Sequence, residues 1–503
     1  MTSAAALLGL LATAAAAAPE APLRVGSKAF TESVILGELA TQLATSGGAP
    51  AVHRRALGGT RVLWEALRRG DIDLYPDYTG TLAREVLAAR APLDDAELRG
   101  ALAAQGVAIS RSLGFEDRYA IGVRREVAAR LGLARLSELA AHPELRLGLT
   151  NEFLDRADGW PALRERYGLR PRSVRGLEHD LAYGAIAAGE IDATDVYTTD
   201  PQIVRLDLVL LDDDRGVFPD YRAVFVYRED LARRAPAALA TVRRLEGRLS
   251  AAEMIALNAR VQLDRRPAEE VAAELLRDAF GIAPRFSVER APTRILHRTR
   301  EHLELVAAAL LAAIAVAVPL GVLAARRPRA GQVVLAAVGV VQTIPSLALL
   351  VFMIPLLGIG GGPAVAALFL YGLLPIVRNT HAGLTGIAPE LRESALALGI
   401  SPGARLRTIE LPLAAPAVLA GVKTSAVITV GTATLGALVG AGGYGQPILT
   451  GVRLASVPLI LEGAIPAALL ALAVEAAFDL VERAVVPAGL RPARRARGGG
   501  RQA

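Results

Sequence analysis

The stretch LELVAAALLAAIAVAVPLGVLAA, residues 303–325, decides the architecture, because Glu304 is its only charged residue. As an α-helix it would extend about 35 Å at 1.5 Å per residue, which exceeds the ~30 Å hydrocarbon core of a bilayer. We therefore predict that it spans a membrane. Four more apolar stretches follow, so the predicted spans are residues 303–325, 333–357, 363–377, 413–438 and 457–482.

Arginine is distributed unequally between the loops that join these spans. One side carries Arg326, Arg327, Arg329, Arg378, Arg392, Arg405, Arg407, Arg491, Arg494, Arg495, Arg497 and Arg501. The opposite loops carry Arg453 alone. Because positively charged loops remain in the cytoplasm, five spans place residues 1–302 on the outer side of the cytoplasmic (inner) membrane. Residues 486–503 then form a basic cytoplasmic tail.

The composition of the 503 residues supports a chain with a soluble part and a membrane part. Hydrophobic residues make up 52% of it, and charged residues still reach 21%. The absence of Cys excludes disulfides, iron–sulfur clusters and thiol nucleophiles. The two lysines, Lys28 and Lys423, do not follow glycine, which excludes a standard Walker A loop. The six His lack a metal-binding spacing, and a net charge of +6 does not indicate nucleic-acid binding.

The part before the first span reads as a secreted α/β domain. Residues 1–19 are rich in Ala and Leu and predict a signal peptide or an uncleaved N-terminal anchor. In residues 23–290, short apolar runs alternate with amphipathic helical patterns, which is typical of α/β folds with parallel sheets. The charged residues 291–302 read as a linker to the membrane part.

Two catalytic-looking motifs are misleading, and we predict neither catalytic residues nor a metal site. Gly440-Ala-Gly-Gly-Tyr-Gly445 matches G-x-G-x-x-G, but it lies at the end of a membrane span rather than between a strand and a helix. Gly399-Ile-Ser-Pro-Gly403 matches the nucleophile elbow G-x-S-x-G. In that elbow the residue after Ser donates its N–H to the oxyanion, and Pro402 has none.

A more specific motif lies between the third and fourth spans, on the Arg-rich side. It reads Glu393-Ser-Ala-Leu-Ala-Leu-Gly399, nine residues, and Ile409-Glu-Leu-Pro412. It resembles the EAA loop of ABC importer permeases, with Ser394 in place of the first Ala. The resemblance implies a coupling helix that docks on a separate ATPase subunit. The motif residues implied in that role are Glu393, Ala395, Gly399, Ile409, Leu411 and Pro412.

Short sequence motifs in both halves resemble those of one transport family. The membrane half, a permease domain over residues 303–485, resembles the glycine betaine/choline permeases in Gln342–Ser346, Leu374–Thr380 and Gly440–Gly445. The soluble half resembles compatible-solute binding proteins in Gly26–Glu32, Tyr75–Thr81, Glu152–Pro161, Asp195–Asp200 and Phe218–Tyr221. This implies a two-lobed α/β periplasmic-binding-protein (Venus flytrap) fold followed by about five transmembrane helices. Lobe one would take residues 24–113 and 216–290, and lobe two residues 114–215.

The ligand of that family carries a quaternary ammonium, which cannot donate a hydrogen bond. Aromatic faces are therefore its natural receptor. The resemblance implies a cage of Tyr78, Tyr119, Tyr197 and Tyr221, with the backbone carbonyl of Asp117 turned toward the ammonium. It further implies that Lys28, Thr81 and Arg156 hold a ligand carboxylate, for which a lysine and a bidentate arginine are apt.

The function predicted from the sequence is osmoprotectant uptake. The chain would be the fused substrate-binding and permease subunit of an ABC importer for glycine betaine or proline betaine. Its predicted partners are a separate ATPase, which would use ATP, and a second copy of itself; we expect no cofactor in this chain and no nucleic acid. The alternatives are import of choline, carnitine or ergothioneine, and a membrane-tethered solute sensor. Lys423 and Glu462 are predicted to approach each other in the membrane as an ion pair or a gating element.

Overall fold

The computed structural model describes residues 21–89, 93–284, 291–453 and 456–486. The predicted signal peptide or anchor lies outside the described residues, and so does the basic tail beyond residue 486. We call residues 21–284 the α/β half and residues 291–486 the helical half, and describe each by itself.

The described part of the α/β half contains ten strands. They are β1 Leu23–Gly26, β2 Ala51–Arg54, β3 Leu74–Tyr78, β4 Val107–Ile109, β5 Tyr119–Arg124, β6 Arg146–Thr150, β7 Ser173–Leu177, β8 Ala193–Tyr197, β9 Leu208–Leu211 and β10 Ala223–Arg228. They form two five-stranded sheets, ordered β2-β1-β3-β10-β4 and β7-β6-β8-β5-β9. In each sheet an antiparallel strand, β10 or β5, is inserted among parallel neighbours.

Two crossings of the chain connect the sheets, one after β4 and one before β10. They lie beside each other, because Glu116 and Arg222 form an antiparallel bridge and the Asp117 N–H donates to the Tyr221 carbonyl at 3.0 Å. Paired crossings between two α/β sheets are the arrangement of a hinge. The predicted two-lobed α/β fold is therefore confirmed.

Helices connect the strands along the chain. They are α1 Thr31–Ser46, α2 Thr60–Arg69, α3 Thr79–Thr81, α4 Asp95–Ala103, α5 Arg125–Leu131, α6 Asn151–Asp155, α7 Trp160–Tyr167, α8 His179–Ala187, α9 Gln202–Arg205, α10 Leu231–Arg234, α11 Pro236–Val242, α12 Ala251–Gln262 and α13 Ala268–Phe280. The first of them, α1, is buried along most of its length, including Ile35, Leu39 and Leu43. Burying each such side chain stabilises the fold by about 1.5–3 kcal/mol. This packing fixes the first turn of α1, which carries Glu32.

The helical half consists of long apolar helices joined by short ones. They are α14 Ala291–Arg326, α15 Pro328–Thr343, α16 Ser346–Leu357, α17 Gly361–Thr385, α18 Pro389–Ala397, α19 Pro402–Arg405, α20 Leu411–Thr432, α21 Gly445–Arg453 and α22 Val457–Val485. Among the described residues, four helices are long and apolar enough to cross a membrane, or five spans if a bent pair counts as one.

The predicted second span, 333–357, is wrong as a single straight helix. It consists of α15 and α16, which meet at an angle of 97°. The break falls at Ile344-Pro345, because proline lacks an N–H and disfavours helical geometry in the residue before it. The predicted third span, 363–377, was too short, since α17 has 25 residues.

The junction predicted as a linker, residues 291–302, is helical and continuous with the first span in α14. It is held by side chains. Arg294 pairs with Glu462 through two bonds of 2.5 and 2.7 Å, and Glu301 accepts the Gly443 N–H at 2.9 Å. Because these contacts fix the first turns of α14, the junction is a rigid part of the helical half.

The expected approach of Lys423 to Glu462 is also wrong. Lys423 Nζ lies 2.6 Å from Asp479 Oδ1 and 3.6 Å from Glu475 Oε1, whereas Glu462 pairs with Arg294. The 17 residues from Glu462 to Asp479 extend about 25 Å along α22. Lys423 therefore reaches the later carboxylates and not the earlier one.

The coupling motif forms the short helix α18, a turn and α19. Gly399 has φ of 68°, in the left-handed region, as the predicted change of direction requires. An unpredicted anchor follows at Glu410, which is buried. Its carboxylate lies 2.9 Å from Arg405, 3.4 Å from Arg326 and 4.0 Å from Arg392. Glu410 thus connects the end of α14 with α18 and α19.

We expect Glu410→Ala to destabilise the helical half by about 1–3 kcal/mol, because it leaves three arginines without their shared carboxylate. The midpoint of thermal unfolding of the full chain in detergent should fall by several degrees. Glu390→Ala is the matched control, since Glu390 is exposed on the neighbouring turn of α18. Equal midpoints for the two variants would contradict an anchoring role for Glu410.

Candidate functional site

Aromatic rings from both sheets meet at the hinge side of the α/β half. The Tyr119 ring lies 5.1 Å from the Tyr197 ring and 5.8 Å from the Tyr221 ring, centroid to centroid. Tyr78 joins this group through Phe30, whose ring is 6.3 Å from Tyr78 and 5.6 Å from Tyr197. The structure therefore brings the four predicted cage tyrosines together, with Phe30 as an unpredicted member.

Strand register explains how the rings come together. Tyr119 begins β5 and Tyr197 ends β8, and the antiparallel register places them directly opposite each other. In the first sheet, Tyr78 ends β3 opposite Ala223 of β10, two residues after Tyr221. Cross-strand partners on an antiparallel pair lie about 5 Å apart, so the backbone itself positions these rings.

Lys28 is buried in an ion pair. Its Nζ lies 2.6 Å from Asp77 Oδ1, and the two side chains are 7% and 0% exposed. The same oxygen accepts the Tyr78 N–H at 2.8 Å. The ammonium also lies 5.7 Å from the centroid of the Tyr78 ring. Lys28 is thus part of the predicted site, but a carboxylate of the protein already neutralises it.

Arg156 is held in the same way. Its Nε and Nη2 donate to the two oxygens of Asp158, both at 2.8 Å, and Asp158 also accepts the Tyr221 hydroxyl at 2.5 Å. The guanidinium lies 5.3 Å from the Tyr119 ring centroid and 3.5 Å from Thr81 Oγ1. The predicted clamp residues Lys28, Thr81 and Arg156 therefore adjoin the cage, although neither cation is unpaired.

Glu32 lies buried between the two sheets. It accepts the hydroxyls of Tyr78 and Thr199, each at 2.6 Å, and the side-chain amide of Asn258 at 3.0 Å. Burial raises the pKa of Glu32 to about 6, an effect that these hydrogen bonds reduce and that nearby Asp200 increases. Since Thr199 follows β8 and Glu32 opens α1, the contact joins one lobe to the other.

Asp117 is the second buried carboxylate at this point. Its side chain accepts the Thr199 N–H at 3.2 Å. Burial raises its pKa well above the ordinary value, and Glu32 and Asp200 raise it further. The backbone carbonyl of Asp117 is the group expected to face a ligand ammonium, and that role stays a prediction.

Several residues of the site were not predicted from the sequence. Asp77, Asp158, Glu32 and Thr199 all stand inside the phrases that identified the cage. The sequence therefore carried a signal for the two ion pairs. Asp158 stands in the same motif as Arg156, and Asp77 stands in the motif that the structure places beside Lys28. Asn258, on α12, carries no such signal.

The comparisons with known proteins divide the chain in two. Residues 21–278 match the family model of the substrate-binding domain of an ABC-type glycine betaine transport system. Residues 317–488 match the inner-membrane component of binding-protein-dependent transport systems.

Curated relatives agree with this division. The chain is 41% identical over 196 residues to the choline transport system permease protein OpuBB of Bacillus subtilis, covering 39% of this chain and 90% of that protein. It is 31% identical over 263 residues to the ergothioneine transport permease/ergothioneine binding protein EgtU of Helicobacter pylori, covering 51% of this chain and 47% of that protein. Among solved structures, a glycine betaine/carnitine/choline ABC transporter protein is 29% identical with a TM-score of 0.44, covering 51% of this chain and 98% of that one.

The buried carboxylate of Glu32 predicts a pH dependence of stability. Its folded pKa of about 6 exceeds the ordinary 4.5, so its contribution is complete below pH 4.5 and is lost as pH rises through 6. Relative to Glu32→Gln, the wild type should lose about 2 kcal/mol of unfolding free energy between pH 4.5 and 7. Tryptophan fluorescence of the full chain measures this, because Trp64 and Trp160 both lie in the α/β half.

Glu38→Gln is the matched control for that measurement. Burial opposes ionisation of Glu38, but His53 and Arg55 outweigh it and lower its pKa to about 2. Its contribution is present above pH 4.5 and is lost as pH falls toward 2, the opposite direction. If the unfolding free energies of the wild type and of Glu32→Gln change in parallel between pH 4.5 and 7, a pKa of about 6 for Glu32 is contradicted.

Proposed function

The chain belongs to the ABC-type glycine betaine transport family, with the substrate-binding domain and the permease component in one polypeptide, and from this premise we propose that it imports a quaternary ammonium osmolyte driven by a separate ATPase. It is a transporter subunit and not an enzyme. The compounds within reach of the proposal are glycine betaine, proline betaine, choline, carnitine and ergothioneine.

The observation that carries the proposal is the cluster of tyrosine rings beside buried carboxylates. A quaternary ammonium presents methyl groups and a diffuse positive charge, which π faces and negative potential stabilise. The tyrosine hydroxyls are fixed by acceptors of the protein, as in Tyr78 to Glu32 and Tyr221 to Asp158. Rings held in this way lose little freedom when a ligand enters, so that more of the contact energy appears as affinity.

The helical half supports coupling to an ATPase. On α18 and in the turn after it, Leu391, Leu396 and Leu398 are 48%, 59% and 78% exposed. Apolar side chains on a short surface helix favour docking against another protein. This agrees with the EAA loop as the element that a separate ATPase engages, and a solute sensor would have no need of it.

The arrangement in the membrane is part of the same proposal. The excess of arginine on the predicted cytoplasmic loops supports an extracytoplasmic α/β half and a multi-pass inner-membrane protein. We further propose that two copies form the pore. Lys423, Glu475 and Asp479 keep 26%, 52% and 48% of their side chains exposed in one copy, and charges within spans normally face protein or water rather than lipid.

Removing one ring tests the cage. We expect Tyr197→Leu to weaken the binding of choline and of glycine betaine by about tenfold, since one cation–π contact contributes ~0.5–2 kcal/mol. Equilibrium binding of the radiolabelled ligands to the full chain in nanodiscs measures it. Tyr227→Leu is the matched control, because Tyr227 lies in β10 at the far end from Tyr221. Unchanged affinity in Tyr197→Leu would remove this ring from the cage.

Coupling can be tested at Gly399. Gly399→Ala places a β-carbon on a left-handed residue, at a cost of ~1–2 kcal/mol, although no neighbouring atom lies within 4 Å. We expect uptake into vesicles with the ATPase to fall while ligand affinity stays constant. Gly403→Ala is the control, because Gly403 lies in α19 and is equally uncrowded. Normal uptake by Gly399→Ala would contradict the coupling role.

A further inference from the structure

Four residues, 27–30, connect β1 to α1 and bring parts of the site with them. We call them the β1–α1 segment. Lys28 pairs with Asp77, and the Phe30 ring packs against two rings of the cage. Directly after the segment, the first turn of α1 carries Glu32. A displacement of the segment would move Lys28 and Phe30 together, so the contacts that fix it bear on the site.

The segment begins at Ser27, which is completely buried. Its N–H donates to the Arg54 carbonyl of β2 at 3.1 Å. Its hydroxyl oxygen lies 2.9 Å from Nε2 of His53, also on β2, and accepts the Ala56 N–H at 3.1 Å. Ser27 therefore attaches the β1–α1 segment to β2 and to the turn that follows β2.

That turn contains a residue in an unfavourable conformation. Ala56 has φ of 52°, in the left-handed region, which a residue with a β-carbon disfavours. Such a conformation persists only where the surrounding structure holds it. Here the Ser27 hydroxyl accepts the Ala56 N–H, so the bond that fixes Ser27 also stabilises the turn.

His53 is held between β2 and α1. Its Nδ1 lies 3.0 Å from Oε1 of Glu38, and the two side chains are 4% and 7% exposed. The same carboxylate oxygen pairs with Arg55, which also reaches Glu269 of α13. The ring lies so close to Gly37 that a β-carbon there would overlap it. Helix α1 therefore fixes both the position and the rotation of the imidazole.

The protons of this cluster have one arrangement at pH 7.5. Burial opposes ionisation of Glu38, but His53 and Arg55 lower its pKa to about 2, so its carboxylate is ionised and only accepts. Nδ1 of His53 then carries a proton. Burial lowers the pKa of His53 below its ordinary value, with Glu38 opposing, so the ring is neutral and its Nε2 accepts the Ser27 hydroxyl. The oxygen of Ser27 keeps its lone pairs for the Ala56 N–H.

We propose that Glu38, His53 and Ser27 form a positioning relay, in which the carboxylate orients the imidazole, the imidazole orients the hydroxyl, and the hydroxyl fixes the β1–α1 segment that presents its side chains to the ligand. The order of acid, imidazole and hydroxyl is also that of a serine hydrolase triad, but Ser27 is completely buried, which denies a substrate access to its oxygen. The proposal rests on the proposed function, because it presumes that the ligand binds among the rings that Phe30 adjoins.

Two substitutions separate the nitrogens of the ring. In His53→Gln the amide ends as many bonds from Cα as Nε2 does, so its oxygen accepts the Ser27 hydroxyl. In His53→Asn the shorter amide stands at the position of Nδ1, so it keeps Glu38 and loses Ser27. We expect His53→Asn to weaken ligand binding about fivefold, the size expected for one buried hydrogen bond, and His53→Gln to stay within about twofold of wild type.

Equilibrium binding of radiolabelled glycine betaine and choline to the full chain in nanodiscs at pH 7.5 measures the variants. Tryptophan fluorescence reports whether the α/β half is folded. The matched control is His142→Asn, because His142 also pairs with a carboxylate, Glu144 at 3.1 Å, but precedes β6 of the other sheet. Its affinity should equal that of wild type.

Ser27→Ala tests the relay from its other end, and it carries the test if His53→Asn fails to fold. It should weaken binding about as much as His53→Asn does. The double variant should bind no more weakly than either single variant, because residues of one hydrogen-bonded chain do not contribute additively. Hydrogen exchange of the backbone amides of residues 27–30 should be faster in Ser27→Ala and His53→Asn than in wild type and His53→Gln.

The outcomes distinguish this inference from the proposed function. If the folded Asn and Gln variants lose affinity equally, if Ser27→Ala binds like wild type, or if the two single losses add, the relay is overturned while the proposed function stands. If wild type binds neither ligand at millimolar concentration, the proposed function fails. Exchange at residues 27–30 then decides the relay alone, and equal rates in wild type and Ser27→Ala would overturn it.

Discussion

Burying negative charge beside aromatic rings is the constraint on which the α/β half depends. Carboxylates in a site of low polarity must be paired, hydrogen-bonded or protonated. Here Asp77 and Asp158 are paired, whereas Glu32 and Asp117 rely on neutral donors. The donors that stabilise Glu32 come from both lobes, so the contact between the lobes and the ionisation of this carboxylate depend on each other.

The distribution of hydrogen bonds gives the site two layers. The rings form one layer, and two of their hydroxyls donate to a second layer of carboxylates, from Tyr78 to Glu32 and from Tyr221 to Asp158. The hydroxyls of Tyr119 and Tyr197 lie 3.5 Å from each other. Glu32 and Asp158 thus each orient a ring and add negative potential beside it. Tyrosine suits this arrangement better than phenylalanine, because its hydroxyl connects the two layers.

Sequence patterns predicted an α/β half and the membrane helices, because strand periodicity and long apolar runs are local signals. The two lobes and the four tyrosines followed from the resemblance of short motifs to a known family. Neither predicted the pairing of Lys28 with Asp77, since 49 residues separate the two and only tertiary packing brings them together. The sequence shows Pro345, but it does not give the angle of 97° at which α15 and α16 meet. The predicted approach of Lys423 to Glu462 was wrong for the same reason. The relative height of two residues on packed helices does not follow from the sequence of either helix.

The helix α14 has a further consequence. It runs without interruption from Ala291 to Arg326, and contacts at both ends, to Glu462 and to Glu410, fix its rotation about its own axis. Each residue added or removed between Ala291 and Arg294 would turn the direction in which the chain leaves the helix by about 100° and shift it by 1.5 Å. A change of seven residues would nearly restore that direction, with a drift of only ~20°. The first turn of α14 is therefore fixed in direction as well as in position by these two ion pairs.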